Sequence, residues 1–107
     1  MATVTLKGKS GKAYVFEVYK FDSSFNAAAG VYAVTGRRQN TEGRYTHTAI
    51  YIGQTSDLGG RFDDHHKADC FADHEANSLC LHADENEQSR LVKEGDLIAA
   101  YNPPCND

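Results

Sequence analysis

The chain lacks any apolar run approaching the roughly 20 residues needed to cross a bilayer as a helix, so no helical membrane span is expected. Its first residues, Met1-Ala2-Thr3-Val4-Thr5-Leu6-Lys7, lack the charged-then-apolar order of a secretory signal and read as a strand. It has no GxxxxGK[ST] loop and no GxGxxG turn, so nucleotide-cofactor folds have no support. Cysteine is scarce and odd in number: Cys70, Cys80 and Cys105 show no disulfide framework. Free thiols and a reducing, cytoplasmic compartment are the expectation. No internal repeat or low-complexity segment is visible.

Positive charge is also short overall, with a net charge of −4 over 107 residues. The first 53 residues carry seven Lys/Arg against three Asp/Glu, and the remainder four against twelve. An acidic protein binds nucleic acid poorly without a local basic face, because phosphate contacts supply most non-specific affinity. Arg37, Arg38 and Arg44 are the candidates for such a face. The plain alternative is that they solubilise a hairpin tip.

What is present reads as one domain of ordinary hydrophobic content. Thr3 to Lys7, a Gly8–Gly11 turn and an alternating Ala13 to Phe21 form an N-terminal β-hairpin, residues 1–26 being an extension on a domain of residues 27–107. Gly30 to Thr35 is a strand, Gly36 to Gly43 a long hairpin loop, and Tyr45 to Ile52 the partner strand. Parity puts Tyr51 on the face of Ala49 and His47. A helix is predicted from Ser56 to about Lys67, irregular chain over Ala68–Asn77, and a short strand over Ser78–His82. A second helix, with Asp84 as N-cap and Glu87 as its capping-box partner, runs to Tyr101 and stops at Asn102-Pro103-Pro104.

The run from Ala49 to His66 carries the chemistry. It ends a strand on Tyr51-Ile52-Gly53, turns, and starts a helix on which Arg61 and His65 stand four residues apart, on one face. A phenol, a guanidinium and an imidazole near a strand end suggest work on an oxyanion such as phosphate. In the last helix Leu91, Glu94, Ile98 and Tyr101 fall on one stripe. A carboxylate within an apolar stripe is costly unless paired or metal-bound, so Glu94 is the acid expected inward, unless it sits at the stripe's edge and reaches water. Gly95 beside it would admit a closely packed segment. Each tyrosine alone reads equally as a packed sheet aromatic, and His65 alone as a helix-surface residue. Cys70, His74, Cys80 and His82 have the ligand types for Zn²⁺ but no standard knuckle spacing.

Gly30-Val31-Tyr32 followed by Tyr51-Ile52-Gly53 resembles the paired tripeptides of the GIY-YIG nuclease superfamily. The run from Tyr51 to Arg61 is similar to that family's strand, turn and arginine helix. Glu94-Gly95-Asp96-Leu97-Ile98-Ala99-Ala100-Tyr101-Asn102-Pro103-Pro104-Cys105-Asn106 resembles its metal-site helix and closing Asn. The matches span Gly30 to Asn106, about three quarters of the chain. The resemblance implies an α/β (α+β) fold, a small central antiparallel sheet flanked by helices. It implies a divalent-metal-dependent endonuclease acting on nucleic acid, with DNA as the first candidate. Tyr32, Tyr51, Arg61, His65, Glu94 and Asn106 would be the catalytic set. Glu94 would hold Mg²⁺ or Mn²⁺, Arg61 would contact the phosphate and Asn106 would shape the site. Tyr51 or Tyr32 would be the base, with His65 as relay or alternative. The chain departs from the family in its long Gly36–Gly43 segment, in Gln54 where some members have Lys, and in the lack of an extra DNA-binding domain. A catalytically weak binding module on the same fold is the alternative. Oligomeric state is open, although enzymes that cut both strands often dimerise.

Overall fold

A computed structural model of the chain describes residues 3–20, 29–57 and 67–106. Among these, five strands form one antiparallel sheet: β1 (Thr3–Lys7), β2 (Ala13–Lys20), β3 (Gly30–Gln39), β4 (Tyr45–Thr55) and β5 (Ser78–Ala83). Their spatial order is β1-β2-β5-β3-β4. Helices α1 (Ala68–Asp73) and α2 (Glu87–Tyr101) and a closing 3₁₀ turn (Pro104–Asn106) flank the sheet. This is the α+β class that the sequence indicated. No helix among the described residues is long and apolar enough to cross a membrane.

Period-two alternation divides the apolar residues between the two faces. On the first, Leu6, Tyr14, Phe16, Val31, Ala33, Ile52 and Cys80 pack with Leu97 of α2. On the second, Tyr32, Val34, Ile50 and Leu79 pack with Phe71 of α1 and with Cys105. Burying a side chain such as Phe, Leu or Ile stabilises by about 1.5–3 kcal/mol, so both layers matter. The N-terminal hairpin belongs to the same sheet, since β2 pairs with β5. It is also tied to α2, where the Asp96 carboxylate accepts from Ser10 N and Oγ at 2.8 and 2.7 Å and from Tyr14 Oη at 2.8 Å.

Several expectations are corrected. The loop expected over Gly36–Gly43 is mostly strand: β3 continues to Gln39, paired with Tyr45, and the turn narrows to residues 40–44. Cross-strand contacts favour the longer ladder, with the Arg37 guanidinium stacked 3.6 Å from the Tyr45 ring centroid. Gly43 supplies the positive φ, +83°, that this turn needs. A bulge then breaks the parity of β4. Val34 faces Tyr51 but Thr35 faces Ala49, so Ile50 is the extra residue. Ile50 and Tyr51 therefore both join the second face, while Ala49 stays on the first.

Residues 68–73, expected to be irregular, form α1. Phe71 is the anchor, 2% exposed beneath the second face. Nor are all the thiols free: Cys70 of α1 is bridged to Cys105 of the 3₁₀ turn, and only Cys80 remains unbridged. With that bridge present, the three cysteines do not point to a reducing compartment.

The α2 cap also shifts. Asn86, not Asp84, caps the helix, its side chain accepting from Ser89 N at 2.8 Å. Asp84 instead receives Lys93 Nζ at 2.9 Å, Ser89 Oγ at 2.6 Å and Asn86 N at 3.0 Å. These bonds, Lys93's first, hold its carboxyl well below the usual carboxylate range. A folded-state pKa below the unfolded value stabilises above about pH 4 and loses that contribution as pH falls further. Asp84→Asn should therefore flatten the acid limb of the stability curve below about pH 4. Urea titrations at stepped pH test this, and parallel acid limbs in both proteins would reject it.

The buried stripe of α2 is rotated from the expected one. Arg90 and Leu97 are its buried residues, whereas Leu91 and Tyr101 are 43% and 39% exposed. Gly95 meets open space, since a Cβ there would touch nothing within 4 Å. It admits no closely packed segment.

Candidate active site

Tyr32 and Tyr51 come together on the second face. Their ring centroids are 6.0 Å apart, and Tyr51 also lies 5.6 Å from Phe71. Tyr32 is 1% exposed and Tyr51 half-buried. The bulge at Ile50 is what turns Tyr51 toward Tyr32. The glycines of both tripeptides are sterically required. A Cβ on Gly30 would lie 2.5 Å from the His82 carbonyl oxygen of the neighbouring strand. A Cβ on Gly53 would lie 2.7 Å from both Cζ and Oη of Tyr32, so the Tyr32 ring lies across Gly53.

Asn106 closes on the same strand. Its Oδ1 accepts from Ile52 N at 2.9 Å and its Nδ2 donates to Ile52 O at 2.8 Å. The carboxamide thus takes the place of a neighbouring strand on the outer edge of β4. The turn bearing it is fastened through Cys105 to α1.

Glu94 is half-buried in mid-α2. Leu97, three residues on, packs on the first face, and Arg90, one turn before, points into the protein at 3% exposure. Arg90 Nε donates to Gln54 Oε1 at 3.0 Å and Nη1 to the Asp84 carbonyl at 3.2 Å. The helix is thereby pinned to the C-terminal end of β4. The phenols and the helix bearing the acid approach that strand from opposite faces, and Asn106 runs along the edge between them. Sequence reasoning passed over Arg90 and noted Gln54 only as a departure from the family it resembles. The available signal was spacing: Arg90 is four residues before Glu94 and seven before Leu97. A buried guanidinium requires hydrogen-bond acceptors, and Gln54 supplies one.

Arg61 and His65 lie outside the described residues. The three hairpin arginines do not form one open basic face. Arg37 stacks on Tyr45, Arg38 pairs with Glu75 at 2.8 Å, and Arg44 lies exposed at the turn. The Arg38–Glu75 pair is largely solvent-exposed and so contributes little to stability. Near the hairpin base, His47 Nδ1 is 2.8 Å from Thr35 Oγ1, and burial, followed by the charge of Arg37, lowers its pKa.

The set Cys70, His74, Cys80 and His82 is not assembled. Cys80 is buried on the first face, where desolvation pushes its thiol up to about 11. His82 Nδ1 lies 2.8 Å from the Val15 carbonyl, which can only accept, so that nitrogen carries the proton. Its Nε2 then accepts from Lys93 Nζ at 2.9 Å. Cys70 and His74 meet Cys105 instead, their donor atoms all within 4.8 Å of one another. A groove of about 500 Å³ lined by Tyr14, Ser89, Val92 and Lys93 lies between the N-terminal hairpin and α2, on the face opposite the tyrosine pair. Comparison with family models, curated proteins and solved structures finds no match to this chain.

Proposed function

We propose that the chain is a divalent-metal-dependent endonuclease that hydrolyses phosphodiester bonds in nucleic acid, with the reaction centred on the C-terminal end of β4. The observation that carries this reading is the Tyr32–Tyr51 pair beside a strand that Asn106 grips at Ile52. Gly53 sits where a side chain would collide with the Tyr32 ring, so the seat of that ring over β4 depends on the glycine.

Hydrolysis needs a base for water, charge stabilisation on the phosphoryl oxygens and a stabilised leaving oxygen. Tyr51, the more accessible phenol, is the candidate base or orienting group for the attacking water. Tyr32, locked over Gly53, fixes the position of Tyr51. Arg61 supplies a planar fork to the phosphate, and His65 relays the proton. Arg90, bound to Gln54, positions α2 against the strand end and brings a buried positive charge close to it.

The donor set suits a hard cation weakly bound in the free protein. Glu94 is a half-buried oxygen donor. Among the described residues, the one cluster of three potential metal-binding side chains is Cys70, His74 and Cys105, and none of them is a carboxylate. Mg²⁺ tolerates this, since it keeps several waters and often takes one or two carboxylates plus substrate phosphate. When bound, the cation would supply Lewis acidity at the phosphoryl oxygens. Glu94 would hold it.

The test is cleavage of single- and double-stranded DNA and RNA with Mg²⁺ or Mn²⁺, with a chelator control. Activity that falls to background in Glu94→Gln and Tyr51→Phe is the expected result. Activity indifferent to both substitutions, or none on any of the four substrates, would remove the enzyme reading. The second outcome would favour a binding module. The engagement of Arg37 by Tyr45 and of Arg38 by Glu75 argues against nucleic acid docking at the hairpin face. A cytoplasmic setting belongs to the same proposal and requires the Cys70–Cys105 pair to meet reducing conditions.

A further inference from the structure

Three soft or borderline donors converge at one end of α1. Cys70 lies in α1, and His74, four residues on, is its C-cap, donating its backbone N–H to the Cys70 carbonyl at 3.1 Å. Cys105 reaches them from the 3₁₀ turn across 35 residues of sequence. All three donor atoms lie within 4.8 Å of one another. In tetrahedral Zn²⁺ sites, with Zn–S near 2.3 Å and Zn–N near 2.0–2.1 Å, donors stand about 3.4–3.8 Å apart. Once the bridge is reduced, the two sulfurs must move apart to reach that spacing.

We propose that Cys70, His74 and Cys105 form a Zn²⁺ site when the bridge is reduced, so that one clamp exists in two chemical forms. A dithiol donates two electrons to the bridge and becomes a disulfide itself. The two cysteines gain two protons and become thiols. Zn²⁺ then displaces those protons to solvent and binds two thiolates and one imidazole nitrogen. Water fills the fourth position on the side of His74, the exposed member of the set, while Cys105 is buried and Cys70 half-buried.

The ligand chemistry is selective. Two thiolates and an imidazole favour Zn²⁺ over Mg²⁺ or Ca²⁺, which take oxygen donors. Cys80 has no part in it, being packed on the opposite face of the sheet. The clamp has a structural consequence that does not depend on any chemistry at the tyrosines. Cys105 immediately precedes Asn106, whose carboxamide holds Ile52. Either the bridge or the metal keeps that turn on β4. The reduced, metal-free chain loses this attachment to α1.

The experiment uses the full chain, reduced anaerobically with a phosphine that does not compete for metal, and titrated with Co²⁺ as a spectroscopic substitute for Zn²⁺. One Co²⁺ per chain is expected, with tetrahedral visible bands and thiolate charge transfer that vanish when Zn²⁺ is added. The oxidised chain should show neither. His74→Ala and Cys105→Ser should each weaken binding by about tenfold or more, since loss of even an outer-shell partner costs that much, while Cys80→Ala binds as the unmodified chain does. His74 is exposed, so its variant decides the matter even if Cys105→Ser fails to fold. The proposal is overturned if the reduced chain gives no thiolate charge transfer. It is equally overturned if His74→Ala binds unchanged, or if binding follows Cys80.

Discussion

Reducing the Cys70–Cys105 bridge without metal present should lower the folding free energy by about 4 kcal/mol. The bridge closes a loop with a sequence separation of 35, and the chain-entropy relation gives roughly that value for a loop of this length. Domains of this size have only about 5–15 kcal/mol in total, so the loss is a large share. The melting temperature should drop by about 15 °C or more, given about 4–8 °C per kcal/mol for small domains. The bridge is also the covalent tie between α1, which carries Phe71, and the turn that carries Asn106. Its loss should therefore loosen the second face first. Thermal unfolding with and without phosphine, together with hydrogen exchange at the Ile52 amide, measures both effects. A shift below about 5 °C would show that packing alone holds the turn. Adding Zn²⁺ to the reduced protein should restore part of the loss, because a ligand that binds only the folded state stabilises it by mass action.

Gly53→Ala should destabilise the protein by about 1–3 kcal/mol, the usual range for overpacking, and abolish whatever activity depends on Tyr32. The new methyl would stand 2.7 Å from the Cζ and Oη atoms and 3.0 Å from Cε1 of that ring. The ring cannot swing into solvent, being 1% exposed among Val34, Ile50 and Phe71. Nor does β4 move away easily, since β3 pairs with one edge and Asn106 holds Ile52 on the other. Gly95→Ala is the matched control with the opposite sign. Nothing lies within 4 Å of the added Cβ, and alanine in mid-helix is favoured by about 1 kcal/mol. Urea denaturation of the two variants side by side is sufficient. Equal stability of Gly53→Ala and the unmodified chain would mean that the tyrosine pair is loosely held.

Local sequence determined the periodic features of this protein. Alternation over Thr3–Lys7, Ala13–Lys20 and Tyr45–Ile52 specified strands, because side chains on a pleated backbone repeat every two residues. The stop at Asn102-Pro103-Pro104 was equally legible. Asn102 adopts a left-handed φ of +44° immediately after Tyr101, and the following prolines cannot extend a helix. Tertiary structure decided whatever depends on encounters between distant residues. The bulge at Ile50 moved Tyr51 to the face of Tyr32, where simple parity had placed it with Ala49. The Cys70–Cys105 pairing depended on α1 and the closing turn reaching the same end of the second face. On α2, Arg90 was drawn inward by Gln54, 36 residues away in the chain but joined to it by one hydrogen bond of 3.0 Å, while Leu91 was left in solvent. A residue's period is encoded by its neighbours in the chain, but its partner is chosen by how the sheet curls and where the loops return, and no short window of sequence contains that information.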